Sequence, residues 1–365
     1  MARKVQNIKV CIPLKLHKDL TGNYHVIDRY LYNLPIILQI FFLFLTINSF
    51  GQNKQPEDYG FRHLQTIYKG DTVDILIKSK KGEEQKAKPL LLFCQGSLPQ
   101  PLIKFDEQGM YGVFPFNPDS LTIDYHIAIV SKPFIPLIRE KKLLGRDFTF
   151  IDSTGSYPKK YSERNLLDYY VSRNIEVIKY IQKQPWISKN RLVVAGHSEG
   201  STVAAKLALS YTKITHLIYS GGNPMGRIMS IIGQNRAIET DTDSTRYGEE
   251  RIKYWQSIVG YKTDMDASQG DTYRATYEFS NPPLDYLENL KIPILVCYGT
   301  KDWSAPFIDY LRVDVIRKEK NNFTFKAYIG TDHNYFPLSP DGKPNFEIFN
   351  WDKVANDWQR WLKLD

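Results

Sequence analysis

A serine hydroxyl becomes a nucleophile when a base takes its proton and an acid orients that base. Ser198 is placed for this work. It lies at the centre of Gly196-His197-Ser198-Glu199-Gly200, after the apolar run Arg191-Leu192-Val193-Val194-Ala195 and before Ser201 to Leu209, whose residues are small and helix-compatible. Strand, G-x-S-x-G and helix together predict a nucleophile elbow, the sharp turn that lifts a serine to the top of a parallel sheet. The flanking glycines suit a turn too tight for side chains. The helix N-terminus beneath the serine offers free N–H groups and positive potential to a developing oxyanion.

An elbow serine is followed along the chain by an Asp or Glu and then a His. Ile292 to Tyr298 reads as a buried strand, and Gly299-Thr300-Lys301-Asp302 is its exit loop. Phe323 to Ile329 alternates as a second strand, with Gly330-Thr331-Asp332-His333 as its exit. Both candidates therefore stand just past C-terminal strand ends, where open α/β sheets bind their ligands. The expected triad is Ser198 as nucleophile, His333 as base and Asp302 as acid. His63, His126 and His216 lie within or at the start of apolar runs and read as structural, while His197 precedes the nucleophile and cannot swing round to it. Asp332 competes for the role of acid, but a sequence neighbour of the base points elsewhere and suits a turn. The oxyanion hole is expected from two backbone N–H groups, that of Glu199 and that of Ser97 in the loop Gln95-Gly96-Ser97-Leu98, after the strand Pro89 to Cys94. The Glu199 side chain needs no role beyond complementing the helix dipole.

These loops and the elbow resemble the α/β-hydrolase superfamily of serine hydrolases from about Phe61 to the C-terminus. The dienelactone-hydrolase-like and serine-aminopeptidase-like branch is the most similar, through Gly-His-Ser-Glu-Gly, the Tyr298-Gly299-x-x-Asp302 exit and the Gly330-x-Asp332-His333 loop. The sequence departs from that pattern in three places. Ser198 stands where true dienelactone hydrolases have cysteine, Gln95-Gly96-Ser97 replaces a common His-Gly-Gly, and Ser201 occupies a frequent glycine position. The resemblance implies a mostly parallel eight-stranded sheet flanked by helices, with a cap between strands six and seven.

The positioning elements can be followed along the chain. Arg62 to Lys69 and Thr72 to Lys78 predict an antiparallel opening pair, and Leu90 to Cys94 and His126 to Val130 are strands three and four. Asn165 to Gln184 is helical by its three- and four-residue apolar spacing, and Pro185-Trp186 stops it. Arg191 to Ala195 and Ile214 to Ser220 are strands five and six, the acid and base exits follow seven and eight, and Phe346 to Leu364 closes the domain as a helix. Two connections exceed the minimal fold: 132–164, and about 221–289, whose helical piece Glu249 to Val259 and many aromatics suit a cap over the triad.

The first 51 residues differ. Leu34 to Ile47 is a 14-residue apolar core followed by Asn48-Ser49-Phe50-Gly51-Gln52, and six basic residues lie upstream. This predicts a signal peptide cut after Gly51, with export to the periplasm or the exterior. An uncleaved membrane anchor over Leu31 to Phe50 is the alternative, and a buried helix a third. The upstream stretch is longer than such a leader needs, so translation is expected to begin nearer Leu31. After cleavage no stable membrane span is expected.

The leader holds six of the 48 Lys and Arg and two of the 40 Asp and Glu, so residues 52–365 carry 42 and 38, a net charge of +4. That is no case for nucleic acid. These 314 residues suffice for one α/β domain with an insertion. Cys94 and Cys297 end predicted core strands and read as buried thiols. Neither C-x-x-C, H-E-x-x-H, P-loop nor dinucleotide fingerprint occurs, so no cofactor or metal is expected. The expected activity is an exported serine carboxylesterase acting on small or medium esters. A compact serine peptidase of the prolyl-oligopeptidase or proline-aminopeptidase kind is the alternative, with Glu249 and Glu250 as candidates to hold a substrate amine. A non-catalytic binding protein is the third reading, and the intact Ser–Asp–His order stands against it. Dehalogenase and epoxide-hydrolase chemistry is disfavoured, because those enzymes use an aspartate nucleophile.

Overall fold

The structure is a computed structural model. It describes residues 54–240, 246–266 and 270–364, together with a short antiparallel ladder between His17–Lys18 and Tyr24–His25. The leader-like segment 34–51 lies outside the described residues. Residues 1–53 and 54–365 form separate units, and every candidate site residue belongs to the second.

Eleven strands occur in chain order among the described residues of that second unit: β1 (Arg62–Tyr68), β2 (Asp71–Lys78), β3 (Lys88–Cys94), β4 (Ile103–Asp106), β5 (Gly109–Tyr111), β6 (His126–Val130), β7 (Ile138–Glu140), β8 (Ile187–His197), β9 (His216–Ser220), β10 (Ile294–Gly299) and β11 (Phe323–Tyr328). Eight form one sheet in the order β11-β10-β9-β8-β3-β6-β2-β1. Every neighbouring pair is parallel except β1–β2 and β2–β6, so β2 alone runs against the rest. This is the mostly parallel α/β-hydrolase sheet expected from the sequence.

The sheet has the continuous apolar strands of a layer buried on both faces. Alternate residues divide between two cores: Leu90, Leu92 and Cys94 of β3 pack on one side, Leu91 and Phe93 on the other. Helices close both faces. In chain order those of seven residues or more are α1 (Leu167–Ile181), α2 (Glu199–Ser210), α3 (Arg227–Ile238), α4 (Tyr247–Gly260), α5 (Tyr273–Phe279), α6 (Pro283–Asn289), α7 (Ala305–Arg317) and α8 (Trp351–Leu364). On α8, Trp351, Val354, Trp358, Trp361 and Leu362 make one buried stripe at helical spacing.

Several boundaries differ from the sequence reading for visible reasons. α1 begins at Leu167 and not at Asn165, because Leu166 is extended and the Asn165 amide is engaged by Tyr170 and Asp271. β8 begins at Ile187, which pairs with Lys88 before an irregularity resets the register at Leu192. A second, three-stranded sheet of order β5-β4-β7 was not foreseen. Its strands have only three or four residues, too few for periodicity to register. The long connection 221–289 folds as α3 to α6, between the sixth and seventh strands of the main sheet.

Candidate active site

Ser198 joins β8 to α2 with φ 57° and ψ −127°, a backbone state that costs a non-glycine residue strain. The turn is over-determined by its surroundings. Ser198 N–H donates to the Ser220 carbonyl (3.0 Å), and Ser201 Oγ donates to the Ser198 carbonyl (2.6 Å). A Cβ at Gly196 would fall 2.0 Å from the Gly200 carbonyl oxygen, and one at Gly200 would fall 2.0 Å from that of Cys94. Both glycines of the pentapeptide are therefore steric requirements.

The two exit loops meet beside this turn. His333 Nδ1 lies 2.8 Å from Asp302 Oδ2. A carboxylate only accepts, so Nδ1 carries the proton and Nε2 is free to accept one. The Asp302 side chain is fully buried, and its Oδ1 accepts the Ser304 N–H at 2.9 Å. Trp303 stacks on the His333 ring with centroids 6.0 Å apart. The loops are also tied to each other: Lys301 N–H donates to the Thr331 carbonyl, and Gly330 N–H to Thr300 Oγ1, each at 2.9 Å. Ser198 and His333 line the same cavities.

The remaining candidates divide cleanly. Asp332 turns into its own loop, where Oδ1 accepts the N–H groups of Asn334 (2.9 Å) and Phe336 (2.8 Å). His197 is buried, and burial first, then the neighbouring His333, holds its pKa well below the ordinary value. Its Nε2 donates to Asn334 Oδ1 (3.3 Å), and its Nδ1 lies 3.0 Å from Ser220 Oγ, which in turn meets Tyr335 Oη at 2.5 Å. His63 pairs with Asp74, while His126 and His216 pack edge-on against Trp186 and Trp361. Glu199 opens α2, so its N–H is one the helix cannot satisfy. The loop carrying Ser97 is anchored by Tyr161 Oη, which donates to the Ser97 carbonyl at 3.3 Å, and Ser97 borders both cavities that Ser198 borders.

The Glu199 side chain does more than face a helix dipole. It is buried and ion-paired to Lys132 (3.1 Å) and to Arg227, which also binds Asp271. Asn165 extends the network by donating to Asp271 Oδ1 at 2.6 Å. Two cations and two anions from four distant segments thus balance beneath the elbow. Sequence reasoning missed this network, because no spacing links Lys132, Glu199, Arg227 and Asp271. Glu249 bonds to Arg236, and neither Glu249 nor Glu250 lines a cavity that Ser198 borders. Among the described residues no group of three or more acidic, His or Cys side chains could hold a metal ion.

No protein-family model matches the sequence, and no curated protein matches it. Solved structures do. Est1E from Butyrivibrio proteoclasticus, determined with ferulic acid bound, superposes with a TM-score of 0.51 at 14% identity, covering 82% of this chain and 97% of that one. A candidate dipeptidyl aminopeptidase IV from Bacteroides ovatus ATCC 8483 gives a TM-score of 0.53 at 10% identity over 84% of this chain. The matched part is 36% of that protein, so the chain spans about a third of its length. These likenesses show the fold, which is that of the α/β-hydrolases.

Proposed function

We propose that this α/β-hydrolase-fold chain is a serine hydrolase that cleaves carboxylic esters through an acyl-enzyme on Ser198. The observation that carries the reading is the strained Ser198 at the head of α2, bordering the same cavity as a His333 whose Nδ1 is bound to the buried Asp302. His333 Nε2 takes the Ser198 proton as Oγ attacks the ester carbonyl. The oxyanion is held by the Ser97 and Glu199 N–H groups, and Asp302 stabilises the imidazolium that forms. The alcohol leaves with that proton. Water, deprotonated by His333, then releases the acid and restores Ser198.

The helices of 221–289 act as a cap. Arg227, Ser230, Ile231 and Gln234 of α3 form one wall of the cavity beside Ser198, where they exclude water and shape one arm of the substrate site. An aminopeptidase would need carboxylates there to hold the substrate amine. Glu249 and Glu250 are absent from the cavity wall, and the two carboxylates that do line it, Glu199 and Asp271, are ion-paired to Lys132 and Arg227, which supports ester over aminopeptide substrates. No cofactor enters the mechanism.

The test is hydrolysis of p-nitrophenyl butyrate by the purified protein. Wild type is expected to turn over the ester, and Ser198→Ala to fall to the rate of the buffer. An undiminished Ser198→Ala rate would refute the assignment.

Export belongs to the same proposal. The apolar core Leu34 to Ile47 and the small residues Ser49 and Gly51 support a leader removed after Gly51. No described helix is long and apolar enough to cross a membrane. N-terminal sequencing of protein recovered from outside the cytoplasm should read from Gln52. An N-terminus upstream of Leu34 on that protein would overturn cleavage.

A further inference from the structure

Ser198 stands between two cavities. One, of about 250 Å³, lies against α3 and contains the balanced charges of Arg227 and Asp271. The other, of about 400 Å³, opens beyond the oxyanion loop and is walled by Phe93, Leu102, Val113 and Phe114. Lys104 of β4 stands in the wall of this second cavity beside those apolar side chains, and the proposed chemistry makes no use of it.

Its surroundings set it apart. Three lysines are buried among the described residues: Lys88, Lys104 and Lys132. Lys88 has the Glu83 carboxylate at 2.6 Å, and Lys132 has Glu199 at 3.1 Å. Lys104 has two neutral acceptors, the Pro101 carbonyl (3.1 Å) and Gln100 Oε1 (3.4 Å), and no carboxylate within ion-pair distance among the described residues. Asp106, two residues along the same strand, is taken by Tyr111 Oη (2.6 Å) and Lys141 (3.7 Å). The strand neighbours of Lys104 are Tyr111 and Arg139, so they bring no negative charge either. An ammonium carries three donors, and the third has no partner among the described residues. Burying an uncompensated charge is unfavourable, and burial pushes the Lys104 ammonium down to about 8. At neutral pH most of it still carries its proton.

We propose that Lys104 is the anion-recognition residue of the substrate site, and that the favoured substrates are esters with a carboxylate on the arm that enters the Phe93–Phe114 cavity. The substrate carboxylate supplies the counter-ion that the fold omits, while the apolar walls hold the chain linking it to the scissile carbonyl. This inference rests on the serine-hydrolase reading of the same site.

The test compares charged and neutral esters with the full-chain protein. p-Nitrophenyl hydrogen glutarate carries the anion on the acyl arm and is set against p-nitrophenyl butyrate. 3-Acetoxybenzoate carries it on the alcohol arm and is set against phenyl acetate. Wild type is expected to favour one anionic ester by about 10- to 100-fold in kcat/KM, the size of a hydrogen bond to a charged group. Lys104→Met should erase that preference by raising KM for the anionic ester, leaving kcat and the neutral ester nearly unchanged. Lys104→Arg should retain part of the preference, and Lys104→Gln replaces the Met variant should that one not fold. In wild type the preference should fade as pH rises through about 8, because kcat/KM reports the free enzyme and the cation is lost above its pKa. No preference for either anionic ester, or one that survives Lys104→Met, would overturn the proposal while leaving the hydrolase reading intact. If no ester is cleaved, the hydrolase reading fails, and calorimetric titration with glutarate and with benzoate then decides the site. Binding lost in Lys104→Met upholds it, and no binding by folded wild type overturns it.

Discussion

The Asp332 carbonyl oxygen occupies the space that a side chain at Gly299 would need: a Cβ there would lie 2.1 Å away. The acid loop and the base loop are therefore pressed together at one point, and only glycine allows it. This contact explains how Asp302 and His333, carried by separate strand exits, reach a single hydrogen bond. Gly299→Ala should push the loops apart, lowering kcat on the order of 10²-fold with a smaller change in KM. Steady-state kinetics on p-nitrophenyl butyrate checks the split, and an unchanged kcat would mean that the loops can part without disturbing the base.

Asp302→Asn keeps the shape of the acid while removing its preference for an N–H donor. The amide can present its own N–H to Nδ1, which places the proton on Nε2 and leaves His333 unable to accept from Ser198. A kcat loss of roughly 10⁴-fold is expected, with the fold retained. Asp332→Asn, by contrast, should cost little, because that carboxylate serves only backbone groups of its own loop.

The charge network beneath the elbow predicts a stability effect. Glu199→Gln leaves Lys132 buried without its anion and removes one of the two carboxylates on Arg227. Breaking a buried pair from one side costs about 3–5 kcal/mol. Urea unfolding monitored by tryptophan fluorescence should show a loss near the lower end, since Asp271 still compensates part of the charge.

The elbow and the exit loops were legible in the sequence because each is a local signal: an apolar strand, a glycine turn and a chemically capable residue within about ten positions. The mostly parallel character of the main sheet followed from the alternation of strands and helices. Lys132 and Lys104 were not legible. Lys132 sits in a Pro-, Lys- and aromatic-rich connection that reads as surface, yet its burial depends on Glu199, 67 residues away. Lys104 lies on a four-residue strand whose partner β7 comes more than 30 residues later, so neither its strand nor its buried face has a local signature.

Cys94 and Cys297 are buried free thiols, and desolvation pushes each up to about 12. At pH 8 only about one in 10⁴ of either is thiolate. With the sequence's third cysteine, Cys11 of the N-terminal 51 residues, replaced by serine, a disulfide-exchange reagent should find no reactive thiol in the native full chain at pH 8 and two in denaturant. Prompt native reaction would show that one of these strand ends opens to solvent.

Every catalytic role proposed for the site depends on Ser198 being the nucleophile. A fluorophosphonate probe forms a stable bond only with an activated serine, and peptide mass spectrometry locates it. Stoichiometric labelling is expected on the peptide containing Ser198, abolished by heat denaturation and strongly slowed in His333→Ala. Labelling at another residue, or none on the folded wild-type protein, would contradict the assignment.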